Sequence, residues 1–125
     1  MHLDVSAAVE IVMQRDNAQN ISRQSTQADW VITPDLFRSE ISNAVGKYYK
    51  ATLLSHEECV QNVEDSIMMI DDFFNSKDLW REALAEGIKN RHPVYDMFYV
   101  VLVRRNDGKI ISNDKKVKEL CKKLK

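Results

Sequence analysis

Three short β-type runs separated by helical stretches predict an α/β fold, a small, mostly parallel central sheet flanked by helices with a helical hairpin inserted. Three observations carry that expectation. The runs, at residues 2–5, 30–32 and 109–112, are too far apart for hairpins, and parallel pairing requires long crossovers. The chain holds only three glycines and two prolines in 125 residues, which leaves room for long helices. Residues 94–103, VYDMFYVVLV, are almost wholly apolar, so a helix there must be central and buried on most sides.

The elements follow in order. Residues 2–5 open the chain as a short strand, and Ser6 is a natural N-cap for a helix through Ala7, Val9, Ile11 and Val12. Residues 14–28 are polar and fit an exposed helix or loop. Trp30, Val31 and Ile32 form the second strand, and Thr33-Pro34 reads as N-cap and first helical residue of the next helix. Phe37, Ile41, Ala44, Val45 and Tyr48 then recur at helical spacing. Ser55-His56-Glu57-Glu58 is a capping box for the second helix of a hairpin. Residues 71–78 break the pattern. Residues 79–88 are helical, with Gly87 or Asn90 as candidate stops, and Pro93 starts the apolar helix. Asn106-Asp107-Gly108 is a turn, residues 109–112 are the third strand, and residues 115–124 form a basic closing helix.

Length predicts one domain over residues 1–125. No apolar run approaches the ~20 residues of a membrane span, and the N-terminus lacks the basic region of a signal peptide. The expectation is a cytoplasmic protein without membrane contact. Cys59 and Cys121 form neither a disulfide framework nor a four-thiolate metal site. The net charge of −1 hides an asymmetry. Residues 104–125 carry nine Lys/Arg against three acids, a local charge of +6, and the remaining residues sum to −7. Such an end attracts a polyanion such as nucleic acid, with Arg104, Arg105, Lys115 and Lys116 as candidates for steering its backbone. A solvated, Lys-rich terminal helix has the same composition.

Four acids stand in apolar settings. Asp96 is the only charge between Val94 and Val103, and a buried carboxylate is costly unless paired or bound to a cation. Glu40 borders the apolar stripe of its helix, with Arg38 or Lys47 as alternative ion-pair partners. Asp4 lies in the first strand and Asp114 just after the last, where Asp114 also suits a helix N-cap. In α/β folds the carboxyl ends of strands are the ligand edge. Carboxylates packed there repel one another unless a cation intervenes, and Mg²⁺ or Mn²⁺ prefers such oxygen ligands. An all-carboxylate divalent site points to phosphodiester chemistry.

With these residues in place, the sequence resembles PIN-domain ribonucleases, most of all the single-domain VapC-type toxins of toxin–antitoxin systems. The resemblance runs through LDVS (Leu3 to Ser6), ITPDLFRSEISNAV (Ile32 to Val45), VYDMFYVVLV (Val94 to Val103) and IISNDKKV (Ile110 to Val117), in family order and spacing. It implies that Asp4, Glu40, Asp96 and Asp114 are catalytic metal ligands, with Ser6, Asn43 and Ser112 in support. It also implies a Mg²⁺- or Mn²⁺-dependent endoribonuclease leaving a 5′-phosphate, a homodimer, and a protein antitoxin as partner. Val5 stands where the family often has Thr or Ser, and residues 71–78 are acidic where many relatives carry a β-type segment.

The alternative is a catalytically silent PIN-like module that binds RNA or a protein. A response-regulator receiver would need an acidic pair at the first strand, where only Asp4 stands. His2, His56 and His92 lack metal-ligand spacing, and Gly46, Gly87 and Gly108 form no phosphate loop. Tyr48 and Tyr49 read as core or dimer contacts, and Met68, Met69, Phe73 and Phe74 as ordinary core or as a seat for an antitoxin helix.

Overall fold

The computed structural model describes residues 1–16, 18–28, 30–106, 108 and 110–124, excepting the Ser25 side chain. Its elements are β1 (His2–Leu3), α1 (Val5–Val12), α2 (Ala18–Gln27), β2 (Ile32–Pro34), α3 (Phe37–Lys50), α4 (His56–Met68), β3 (Asp72–Phe74), a 3₁₀ turn (Ser76–Asp78), α5 (Trp80–Asn90), α6 (Val94–Arg105), β4 (Ile110–Ile111) and α7 (Lys115–Leu124). The expected turn around Asp107 and the strand start at Lys109 involve two positions outside the described residues.

The four strands form one parallel sheet in the order β3-β2-β1-β4. The chain steps outward from β1 through β2 to β3, then returns to the other side of β1 as β4. The strand order therefore reverses between β1 and β4, and every crossover is helical. The side-chain period of two splits the core. Leu3, Val31 and Ile111 join Ala7, Ala8, Ile21, Phe37, Ile41 and Val45 under α1–α4. On the other face, Ile32 and Ile110 pack with Leu79, Ala83, Met97, Val100, Val101 and Val117 under α5–α7. Met97 and Tyr99–Val103 are buried, as an apolar helix in a central position requires.

Several expectations need correction. The first helix is capped by Asp4, not Ser6: the Asp4 carboxylate accepts from the Ala7 N–H at 3.1 Å, and the helix begins at Val5. Thr33-Pro34 does not open a helix. Ile32–Pro34 is strand, and α3 starts at Phe37 after Leu36, without a side-chain cap. Proline is tolerated there although His2 pairs with Ile32. In that register an N–H at position 34 would face the Leu3 carbonyl, which accepts instead from the Thr33 hydroxyl at 2.9 Å, so the missing N–H leaves no acceptor unpaired. Residues 71–78 hold β3, a three-residue edge strand. Its acids have local work: Asp71 Oδ2 accepts from the Val31 N–H at 2.7 Å, joining the start of β3 to β2. The capping box at Ser55 and Glu58 forms as expected.

Helix α5 ends at Asn90, with Arg91 in the left-handed region at φ 51°. Gly87 stays inside it because a Cβ there would lie 2.9 Å from Val94 Cγ2 and 3.2 Å from the His92 carbonyl oxygen. Gly108 is tighter still, since a Cβ would fall 2.3 Å from His2 Nε2. His2 is 2% exposed and cannot move aside freely. Burial and the nearby terminal ammonium lower its pKa to about 4, so the imidazole is neutral at pH 7.

Gly108→Ala is expected to destabilise the fold by about 1–3 kcal/mol, the usual range for overpacking. Urea unfolding checks this, and a midpoint equal to that of wild type would show that the His2 ring gives way.

Candidate active site

The four acids come from segments far apart in sequence, and each lies at the start of a helix at the carboxyl edge of the sheet. Asp4 follows β1 and caps α1. Glu40 is in the first turn of α3, after β2. Asp114 follows β4, and its Oδ1 accepts from the backbone N–H groups of Lys116 (2.9 Å) and Val117 (3.3 Å) in the first turn of α7. Helix α6 runs back toward the start of β4, so its first turn, with Asp96, also lies at this edge. Each helix start carries partial positive charge that favours an acid by about 0.3–1 kcal/mol. The reversal between β1 and β4 puts Asp4 and Ser112 at the crevice where α/β sheets bind ligands.

Asp4 is the most enclosed of the four, at 6% exposure. Oδ1 accepts from Ser6 Oγ at 2.7 Å and from the Ala7 N–H, and Oδ2 accepts from Ser112 Oγ. A hydroxyl has one proton. With both donated to Asp4, the 3.2 Å approach of the two serine oxygens is a close contact rather than a hydrogen bond. The same oxygens accept from the chain after β4, Ser6 from the Asn113 N–H (2.8 Å) and Ser112 from the Asp114 N–H (2.9 Å). The serines thus lock the Asp114 loop to Asp4, and Asn113 Nδ2 adds a bond to Glu10 Oε1 at 3.0 Å.

Glu40 pairs with neither Arg38 nor Lys47. Its Oε1 accepts from the Tyr99 hydroxyl at 2.8 Å, while the Arg38 guanidinium lies 3.7 Å from the Phe73 ring centroid. Asp96 Oδ2 meets His92 Nε2 at 2.8 Å, one turn earlier. Both neighbours were missed in the sequence. In sequence Tyr99 is one more residue of the apolar run 94–103, and His92 is a histidine without metal-ligand spacing. Their spacing from Asp96, three and four residues, was the available signal. Asn43 is exposed on α3 one turn past Glu40 and, among the described residues, stands outside this network.

Burial raises the Asp4 pKa; bonds from Ser112, Ser6 and Ala7 oppose the rise, and the charge of Asp114 adds to it. Burial also raises Glu40, opposed by Tyr99 and reinforced by the charges of Asp96 and Asp4. Among the described residues no three His, Cys, Asp or Glu side chains are grouped tightly enough to hold a metal ion as they stand. In kind, the donors suit a hard divalent cation. They are carboxylate oxygens, they repel one another, and Glu40 Oε2 and Asp96 Oδ1 accept no hydrogen bond from the described residues.

The cations expected to steer a polyanion divide. Arg104 Nη2 pairs with Glu82 at 2.6 Å and Nη1 with Glu86 at 3.3 Å, and Arg105 reaches Glu82 at 3.5 Å. Both arginines close the last turn of α6, eight and nine residues beyond Asp96, or about 12–14 Å along the axis. Neutralised at the opposite edge of the sheet, they are poorly placed to guide a strand to the acids. Lys115 and Lys116 are exposed at the start of α7, directly after Asp114.

The class defined by this architecture is an α/β domain with acidic side chains gathered along the carboxyl edge of its sheet, at the strand-order reversal. No family model matches the chain. It is similar to ribonuclease VapC3 of Pyrobaculum aerophilum, 25% identical over 123 residues that cover 94% of this chain and 91% of the relative. A crystal structure of PAE2754 from the same organism has the same fold, with a TM-score of 0.76 at 12% identity, over 98% of this chain and 84% of the other. Among the described residues no helix is long and apolar enough to cross a membrane.

The raised pKa values fix the sign of a pH effect. Asp4 and Glu40 bind protons more tightly folded than unfolded, so metal-free protein loses stability as pH rises from the ordinary carboxyl range through the raised values. Glu40→Gln is expected to flatten part of that loss. Chemical unfolding of both proteins between pH 4 and 8 checks it; parallel profiles would show that Glu40 is not strained by burial and like charge.

Proposed function

We propose that residues 1–125 form a single PIN-type nuclease domain, a VapC-like endoribonuclease that hydrolyses RNA with Mg²⁺ or Mn²⁺. The observation that carries this reading is the placement of Asp4, Glu40, Asp96 and Asp114 at four helix starts along one sheet edge. Similarity to a ribonuclease over most of both chains supports it.

On this reading Asp4, Glu40 and Asp96 hold a divalent ion, and Asp114 completes that site or a second one. When bound, such an ion would supply Lewis-acid charge at the phosphate and lower the pKa of a water, so that hydroxide becomes available as nucleophile. Ser6 and Ser112 fix Asp4 by donating to both of its oxygens. His92 orients Asp96 through Oδ2, leaving Oδ1 for the ion. Water adds to phosphorus, the bond from phosphorus to the 3′ oxygen breaks, and the products are a 3′-hydroxyl and a 5′-phosphate. Lys115 and Lys116 draw the RNA backbone toward the crevice.

A protein antitoxin and a second copy of the chain are the partners this reading brings. Trp80, Leu84 and Ile88 support a protein contact, since all three are exposed at four-residue spacing along α5. A second reading, a catalytically silent module of the same fold, draws on the absence of a preformed three-residue metal group among the described residues.

Cleavage of structured and single-stranded RNAs with Mg²⁺, Mn²⁺ or EDTA separates the two. Wild type is expected to cut only with metal, and Asp96→Asn to lose the activity. Folded wild type that cuts no RNA favours the silent module; equal cutting by both proteins removes Asp96 from the site.

Lysine placement makes a further prediction. Replacing Lys115 and Lys116 by alanine is expected to weaken single-stranded RNA binding and lower the salt slope by about 1.4, since each phosphate contact contributes about 0.7. Arg104→Ala is expected to leave that slope unchanged. Binding across a salt series checks both, and a slope altered only by Arg104→Ala would move the RNA path to the opposite edge.

A further inference from the structure

Tyr99 is 3% exposed. A phenol buried so deeply needs a hydrogen-bond partner, and a phenylalanine would fill the same space without that demand. Its partner is Glu40 Oε1, 59 positions earlier in the chain and 2.8 Å away. The two residues start from opposite layers. Glu40 belongs to α3, which packs on one face of the sheet through Phe37 and Ile41. Tyr99 belongs to α6, which packs on the other through Met97 and Val100. Their bond joins the layers at the carboxyl edge.

Tyr99 also lies three residues after Asp96, on the same side of α6. One turn of helix therefore presents the Asp96 carboxylate and the group that holds Glu40. Glutamate has three side-chain torsions and loses substantial freedom when fixed. Arg38, two residues earlier on α3, is turned to Phe73.

We propose that Tyr99 is a positioning residue: its hydroxyl fixes Glu40 Oε1 and so leaves Oε2 for a divalent cation shared with Asp96. This rests on the metal-site reading above. Tyr99 touches neither ion nor RNA; it acts through Glu40.

The test is Mn²⁺ titration of the whole chain, followed by electron paramagnetic resonance, for wild type, Tyr99→Phe, Glu40→Gln and Val101→Ala. Outer partners of metal ligands are worth about 10–100-fold in affinity. Tyr99→Phe is expected to weaken Mn²⁺ binding about tenfold, Glu40→Gln to weaken it more, and Val101→Ala to lower thermal stability without changing affinity. Carbon-13 NMR of the side-chain carboxyls in metal-free protein adds a readout independent of the ion, in which Tyr99→Phe is expected to shift the Glu40 resonance. Wild-type affinity in Tyr99→Phe overturns the inference and leaves the nuclease reading standing. The same affinity loss in Val101→Ala also overturns it, by making the effect one of general stability. Wild type that binds no Mn²⁺ overturns the metal-site reading and this inference with it.

Discussion

Four carboxyl groups at one edge of a small parallel sheet repel one another, and much of the local structure manages that repulsion. Each acid lies at a helix start, where unpaired N–H groups and the helix dipole oppose its charge. Asp4 and Asp114 bond those N–H groups directly. Glu40 and Asp96 begin helices that lack a side-chain cap, and each takes instead a donor from a side chain of the apolar helix or the turn before it. Hydrogen bonds soften the repulsion without removing it, since burial and like charge still raise Asp4 and Glu40. On the function proposed above, a divalent cation would relieve what remains.

The fold creates this edge because its strands are parallel. Every strand ends there, and the helices that follow β1, β2 and β4 start there. Helix α6 joins them by running back across the sheet to β4, which lies beside β1. The opposite edge receives the end of α6, where Glu82 and Glu86 neutralise Arg104 and Arg105. Charge is thus sorted by edge, with the lysines after Asp114 as cations on the acidic side. Neither the local charge of residues 104–125 nor the net charge of the chain reveals that division.

What was legible in the sequence had a local signature. Asp96 stood out as a charge inside an apolar run, the Ser55–Glu58 box as a fixed spacing, and the fold class as helices between short strands. What was not legible depended on partners distant in the chain. Thr33-Pro34 has the local pattern of a helix start, and only the bond from the Thr33 hydroxyl to the Leu3 carbonyl of β1 makes Pro34 acceptable in a strand. Strand β3 was hidden because three residues at an edge, one exposed and two half-buried, carry no clear alternation. Tyr99 looks apolar until Glu40 is brought to it across the sheet.

The central claim is that these carboxylates converge on one divalent ion. Crystals of wild type grown with Mn²⁺, measured at the manganese absorption edge, test it most directly. The account predicts an anomalous peak within bonding distance of Asp4, Glu40 and Asp96. A peak elsewhere, or full diffraction with none at the carboxyl edge, would contradict it.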